Sequence, residues 1–154
     1  MVVKYLCERV SRTKLFWITI VKAIRNAWPN VEITFRADSG LCRHRIFNWC
    51  EKHNIKYIVG LPSNAKLKKE VEDLSKEVES TYNKTGEKQK QFSEFEYKAE
   101  TWKTQRRVIA KAEYNALGSN NRFIVTNITE HTADLLYNEV YCARGDMENR
   151  IKVW

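Results

Sequence analysis

The chain has 154 residues, of which 43% are hydrophobic and 30% charged, and it contains only 5 Gly and 2 Pro. This composition excludes disordered, collagen-like and low-complexity chains and predicts a packed globular fold. Lys and Arg outnumber Asp and Glu by 27 to 19, and no apolar run reaches the roughly 18 residues that a membrane-spanning helix needs, so we expect no membrane partner.

Hydrophobic periodicity predicts the elements of the first part of the chain. Apolar residues recur at three- and four-residue intervals over residues 13–28, which indicates a helix that Pro29 ends. Alternating apolar residues predict a strand over 31–37, and a helix over 43–53 and a strand over 55–61 follow. Helices and strands are therefore expected to alternate along this part of the chain.

The second part of the chain has a different pattern. Asn64 is expected to cap a helix with one apolar stripe, made by Leu67, Val71, Leu74 and Val78. Residues 81–91 are polar and lack periodicity, which predicts a loop. Strands are predicted over 92–98, 106–114 and 122–126, with a turn over 117–121 and a last helix over 132–152. The three strands predict a small antiparallel sheet.

The basic residues are concentrated near the start of the chain. Residues 1–65 contain 11 basic and 4 acidic side chains, whereas residues 114–154 contain 4 and 5. An excess of this kind is typical of a surface that contacts phosphates. A solvated basic face with no partner is the alternative, and charge alone does not separate the two.

Two segments contain residues of the kind that carry chemistry. Asp38 stands at the end of the strand predicted over 31–37, and Tyr141, Arg144 and Glu148 are spaced to share one face of the last helix. Carboxylates brought together in a pocket are stabilised by a hard cation such as Mg²⁺ or Mn²⁺. Asp38 as a turn residue and Glu148 as a surface residue paired with Lys152 are the alternatives.

The two segments resemble a known family. Residues 36–41 read Arg-Ala-Asp-Ser-Gly-Leu, and residues 141–152 run from Tyr-Cys-Ala-Arg-Gly to Met-Glu-Asn-Arg-Ile-Lys. Both are similar to motifs of bacterial insertion-sequence transposases of the DDE class. Residues 57–61, 107–113 and 121–127 also resemble this family, so the likeness extends from about Ala27 to Lys152.

The resemblance implies a fold and a division of the chain. The fold class is α/β, with a ribonuclease H-like core of the retroviral integrase superfamily that is truncated at its N-terminus and carries a β-rich insertion. Residues 1–62 are expected to form the partial core with the second catalytic Asp. Residues 63–130 would be the insertion, with one helix and a small antiparallel sheet. Residues 131–154 would be the C-terminal helix with the catalytic Glu.

The resemblance also implies roles for individual residues. Asp38 and Glu148 match the catalytic metal ligands of the family, with Mg²⁺ or Mn²⁺ as the cofactor. The expected contacts to double-stranded DNA at the transposon ends are made by Arg144, Tyr141, Arg36, Arg43 and Arg45. The parent reaction is metal-dependent DNA strand cleavage and strand transfer at insertion-sequence ends, in the bacterial cytoplasm close to the nucleoid.

One residue that the family requires is not found. The first catalytic Asp belongs on the first core strand, whereas Glu8 is the only acidic residue before Glu32. We therefore expect weak or absent metal binding and no DNA cleavage by this chain alone. The alternative function is an inactive, basic DNA-binding or interaction remnant of a transposase.

A truncated core has one more consequence. Without the early strands, the strand predicted over 31–37 would have an unpaired edge, which promotes association between chains. The sequence therefore also predicts a homo-oligomer.

Overall fold

The computed structural model describes residues 3–5 and 13–143 and contains a seven-stranded sheet flanked by helices. The strands are β1 Val3–Tyr5, β2 Ile33–Ala37, β3 Lys56–Leu61, β4 Gln89–Tyr97, β5 Arg106–Asn115, β6 Gly118–Ser119 and β7 Arg122–Thr126. The helices are α1 Thr13–Ala27, α2 His44–Lys52, α3 Ala65–Glu70, α4 Glu72–Thr85 and α5 Ala133–Leu135, and a π-helix follows over Leu136–Tyr141. The predicted α/β class is confirmed.

All the strands belong to one mixed sheet, in the order β1-β2-β3-β7-β5-β4, with β6 paired to β5. β1, β2 and β3 run parallel, and β7 joins them by antiparallel pairing with β3, so that Leu61 lies opposite Phe123. The strands predicted as a small antiparallel sheet thus belong to the main sheet, because β7 pairs with β3 and β5 pairs with β7. As a result, the carboxyl ends of β2 and β3 lie next to the start of β7, at the same end of the strands.

The prediction of an unpaired edge at β2 is wrong. β1 pairs with β2 in parallel register, with Val3 opposite Ile33 and Tyr5 opposite Phe35. Because β3 occupies the other side, β2 has a neighbour on both sides. The error arose because three residues are too few to show alternation, and a parallel pairing across a long connection leaves no local signal.

The two faces of the sheet bury separate cores. On one face, Phe35, Tyr57 and Val59 pack with residues of the flanking helices, among them Ile24 and Phe47. On the opposite face, Ile58, Ile109 and Ile124 pack against Leu136 and Tyr137 of the π-helix. Adjacent strand residues point to opposite faces, so Arg36 and Gly60 lie on the same face as Ile58, facing the C-terminal helical segment.

The helix predicted after Asn64 is interrupted. Asn64 caps it as expected, since its side chain accepts from the Leu67 backbone N–H at 2.9 Å. Val71 leaves the helical conformation at φ −110° and ψ 12°, and a second helix starts at Glu72. Basic residues end the first helix and acidic residues begin the second, which is the charge order that two successive helix dipoles favour.

The loop predicted over 81–91 is wrong over most of its length. α4 continues to Thr85 and ends at Gly86, whose φ of 71° is the left-handed conformation of a helix C-cap. The ring of Tyr82 packs against Tyr114 with 5.0 Å between centroids. The helix therefore continues past its apolar stripe because a tertiary contact holds its last turns.

Two further expectations differ in detail. Trp28, at the end of the apolar face predicted for α1, is 55% exposed. The last helix, predicted over 132–152, is described only to Ala143, and its described part is mostly a π-helix. The remainder of that prediction lies outside the described residues.

Candidate functional site

Asp38 directly follows β2, on the side of the sheet where the parallel strands β2 and β3 end. Its Oδ1 accepts a hydrogen bond from the Gly40 backbone N–H at 2.9 Å and caps the short 3-10 turn Ser39–Leu41. The turn role considered from the sequence is therefore present. A carboxylate has about four acceptor sites, so this bond orients Asp38 and remains compatible with a ligand role.

Gly60 brings the C-terminal segment close to Asp38. A Cβ atom at this position would lie 2.6 Å from the Tyr141 hydroxyl and 2.8 Å from the Ser39 backbone N. The same Cβ would be 3.2 Å from the Asp38 carbonyl carbon. Only glycine fits here without displacing its neighbours, so the Tyr141 hydroxyl packs over β3 beside the backbone of Asp38.

Arg36 makes a second link between β2 and the C-terminal segment. It is 2% exposed, and its Nη1 donates to the Val140 carbonyl at 2.9 Å. A guanidinium in this position holds the π-helix against the sheet. Its burial does not favour the direct DNA contact expected from the sequence, and a positioning role agrees better with its surroundings.

Arg43 and Arg45 lie on the surface near the same edge. Arg43 is the N-cap residue of α2 and makes no side-chain capping bond, and Arg45 follows within the first turn. Both are exposed. The first turn of α2 contains no acidic residue, so these two cations add to the positive end of the helix dipole and favour a nearby anion.

A cavity of about 790 Å³ opens next to Asp38. Ser39, Gly60 and Tyr141 line it on the side of the site, and the exposed cations Lys68 and Arg122 line it farther out. Glu72 also contributes to the lining, but its carboxylate is paired with Lys76 at 2.7 Å. The available charge at this cavity is therefore positive.

A buried acidic residue lies near the cavity. Glu113 is 6% exposed and is bound by Lys111 at 2.9 Å, Lys88 at 3.1 Å and Asn120 at 3.3 Å. Burial by itself raises the pKa of this carboxyl group, but the three partners outweigh it and lower the pKa to about 2. The acid is thus neutralised within the fold, and Lys111 also lies 5.5 Å from the ring centroid of Tyr137.

Four residues in or near this site were not predicted from the sequence: Gly60, Lys68, Arg122 and Glu113. A signal existed for Gly60, because a glycine within a strand of apolar residues often marks close approach of another chain segment. The sequence contained a signal for Glu113, because Lys111 and Glu113 are two residues apart in a predicted strand and therefore share one face. The sequence contained no signal for Lys68 and Arg122, because only the order of strands in the sheet brings these two residues together.

Arg144 and Glu148 lie outside the described residues. Among residues 3–5 and 13–143, no group of three or more His, Cys, Asp or Glu side chains could hold a metal ion. Asp38 has the hard oxygen donors that Mg²⁺ or Mn²⁺ prefers. The described residues therefore supply one of the two predicted ligands for such an ion. The other predicted ligand is Glu148.

A mixed α/β sheet with a carboxylate at the end of a central parallel strand defines a candidate site at the strand ends. The family model described as Transposase DDE domain group 1 matches residues 10–154 of this chain. The chain therefore belongs to the DDE transposase family.

The family carries further implications. Its members act on DNA and typically use a divalent metal. No curated protein and no solved structure matched the chain. Within the described residues, every helix is too short or too polar to cross a membrane.

Proposed function

We propose that this chain is the C-terminal part of a transposase catalytic domain whose parent reaction is DNA strand cleavage and strand transfer at insertion-sequence ends. The proposal includes a ribonuclease H-like core, built from the parallel strands and their helices, and membership of the group that shares the motifs at 36–41 and 141–152. It also includes the predicted division at residues 62 and 130, and a bacterial cytoplasmic setting near the nucleoid.

The observation that carries the proposal is the contact between the two motif segments. The Tyr141 hydroxyl packs over Gly60 beside Asp38, and Arg36 donates to Val140. These positions are distant along the chain, and neither contact is needed to close a local turn. The segment that leads to Arg144 and Glu148 therefore starts next to Asp38.

Asp38 and Glu148 would hold Mg²⁺ or Mn²⁺ in this site. When bound, a pair of such ions activates the attacking oxygen and stabilises the leaving oxygen of a phosphodiester. The contribution of Asp38 is a carboxylate oriented by the Gly40 N–H. Arg36 would act as a positioning residue, because its bond to Val140 holds the end of the described C-terminal segment against the sheet.

DNA would approach from the cationic side of the cavity. Arg43, Arg45, Lys68 and Arg122 are exposed, and none of them takes part in an ion pair among the described residues. Each phosphate contact would release a counterion and make binding salt-dependent. Tyr141 and Arg144 would contact the phosphates nearest the carboxylates.

The expected activity of the isolated chain is limited. Asp38 and Glu148 are two of the three acidic ligands that the family requires, so we expect weak metal binding and no cleavage. The second candidate function, an inactive DNA-binding remnant, is favoured by the cationic lining of the cavity, which does not depend on metal.

Titration with Mn²⁺ distinguishes the two candidates. Calorimetry of the full chain should detect weak binding that Asp38→Asn and Glu148→Gln each abolish, whereas the exposed Glu87→Gln variant should bind as the parent chain does. Binding that persists in Asp38→Asn would contradict the ligand role. DNA binding without any carboxylate-dependent metal binding would support the inactive remnant.

Cleavage is tested separately on a duplex carrying a terminal repeat. We expect no nicking in the presence of Mg²⁺. Nicking that disappears in Asp38→Ala would show that this chain completes the site without the missing Asp.

A further inference from the structure

β4, the last strand in the order, forms one of the two outer edges of the sheet, and the three-residue β1 forms the other. All nine residues from Gln89 to Tyr97 pair with β5 on one side. No described strand pairs with the other side. The outer N–H and C=O groups of such a strand form a template on which another strand can add.

We propose that the outer edge of β4 pairs antiparallel with β4 of a second copy of this chain, around a twofold axis at Ser93. An antiparallel pairing of two identical strands is symmetric, as a closed dimer requires. Ser93 is the midpoint of Gln89–Tyr97, so this register pairs the strand over its full length. The residue that meets its own copy at the axis is then small and uncharged.

The charges on β4 favour this register. It sets Lys90 opposite Glu96 of the second copy twice, once on each side of the axis. Both side chains are exposed, and neither takes part in an ion pair among the described residues. Directly opposite residues of antiparallel strands share a face of the sheet, where unlike charges stabilise and like charges destabilise the pair.

A shifted register is less favourable. With the axis at Phe92, Lys90 would lie opposite Glu94, whose carboxylate is already bound by Arg107. Lys88 would lie opposite Glu96, but Lys88 is already paired with Glu113 at 3.1 Å. The shifted register therefore competes with two ion pairs inside the chain, whereas the register at Ser93 competes with none of those described. The like charges that the Ser93 register would bring opposite each other, Lys88 and Lys98, lie just beyond the ends of β4.

Charge-reversal variants test the proposal by sedimentation velocity of the full chain over a wide concentration range, without DNA or metal. Lys90→Glu alone and Glu96→Lys alone should each weaken self-association by about tenfold, because each replaces two attractive pairs with two repulsive ones. An equimolar mixture of the two variants restores both pairs and should recover association, as should the double variant.

The exposed Lys22→Glu variant, on α1, makes the same change in net charge as Lys90→Glu and should associate as the parent chain does. Recovery in the mixture would also show that each single variant still folds. A chain that stays monomeric at every concentration would overturn the proposal. So would association that is unchanged in Lys90→Glu, or that the mixture fails to recover.

Discussion

The charged side chains at the two ends of the central strands differ in whether they are paired within the fold. At the end where β3 and β5 begin, the buried Arg106 is bound by Glu51 at 2.8 Å and by Asn48 at 2.7 Å, and Tyr57 donates to the same carboxylate. We call this the closed end. Arg106 also lies over the ring of Trp102 at 5.2 Å, so its charge is compensated within the fold.

At the other end, which we call the open end, β2 and β3 finish beside the cavity. Asp38 accepts a hydrogen bond from the local backbone, and the exposed Lys68 and Arg122 line the cavity without an ion pair among the described residues. Charges that are satisfied internally stabilise the fold, whereas charges facing a cavity are available for a ligand. We therefore expect Arg106 and Glu51 at the closed end to act on stability alone, and Lys68 and Arg122 at the open end to act on binding.

The largest expected effect is on the stability that the closed end provides. Glu51→Ala removes the carboxylate that compensates Arg106, whose side chain is 3% exposed, and should lower the free energy of unfolding by about 3 kcal/mol. Denaturant unfolding measures the change. Glu70→Ala, at an exposed acid of α3, should have almost no effect. Equal losses in the two variants would contradict the role of the closed end.

Gly60→Ala should damage the open end specifically. Its Cβ would collide with the Tyr141 hydroxyl and the Ser39 backbone N, at a cost of about 2 kcal/mol, and DNA binding should weaken because the two motif segments separate. Gly86→Ala is the control, since a Cβ there meets nothing within 4 Å and only the positive φ is strained. Equal DNA affinity in the two variants would argue against the proposed site.

Glu113 gives the open end a pH dependence. Its folded-state pKa of about 2 lies below the ordinary value of 4.5, so it stabilises the fold above pH 4.5, and this contribution is lost as the pH falls from 4.5 towards 2. The loss is on the order of 2 kcal/mol. Unfolding measured across this interval should show a shallower dependence in Glu113→Gln. An unchanged dependence would contradict the assignment.

Arg36→Gln should separate positioning from direct DNA contact. Removing the part-buried bond to the Val140 carbonyl is expected to cost about 1.5 kcal/mol of stability. If Arg36 only positions the C-terminal segment, the salt dependence of DNA binding should keep its slope while the affinity falls. A slope reduced by about one would indicate instead that Arg36 binds a phosphate directly.

The smallest expected effect concerns the cations of the cavity. Lys68→Ala and Arg122→Ala should each weaken DNA binding a few-fold and reduce the salt slope by about one for each phosphate that the side chain neutralises. Stability should hardly change, because both side chains are exposed. Lys52→Ala, at the closed-end terminus of α2, should leave DNA binding unaffected. An identical loss of affinity in Lys52→Ala would show that binding follows net charge alone.

Local patterns predicted several elements closely. The strand expected over 122–126 matches β7, and the helices expected over 13–28 and 43–53 match α1 and α2 to within one residue at each end. These elements were predictable because each carries a full apolar face or a turn residue at its end.

Local sequence patterns did not predict the structure where it depends on contacts between residues far apart in the chain. The helix α4 passes through a polar stretch because Tyr82 meets Tyr114, and β2 has a neighbour in a strand of only three residues. The pairing of β3 with β7 joins segments more than sixty residues apart. None of these pairings leaves a mark within a window of about ten to fifteen residues, which is the range over which periodicity is read.

The sequence by itself determined the α/β class, most of the helices and strands, the basic charge, and the two motifs that place the chain among DDE transposases. Periodicity, capping and residue chemistry act over short distances, so they can be read directly along the chain. Only the tertiary structure decided that Arg36 is buried, that Gly60 admits Tyr141 next to Asp38, and that β4 is an outer strand of the sheet. Those outcomes depend on the order in which strands pair, and that order is set by packing between residues far apart in sequence.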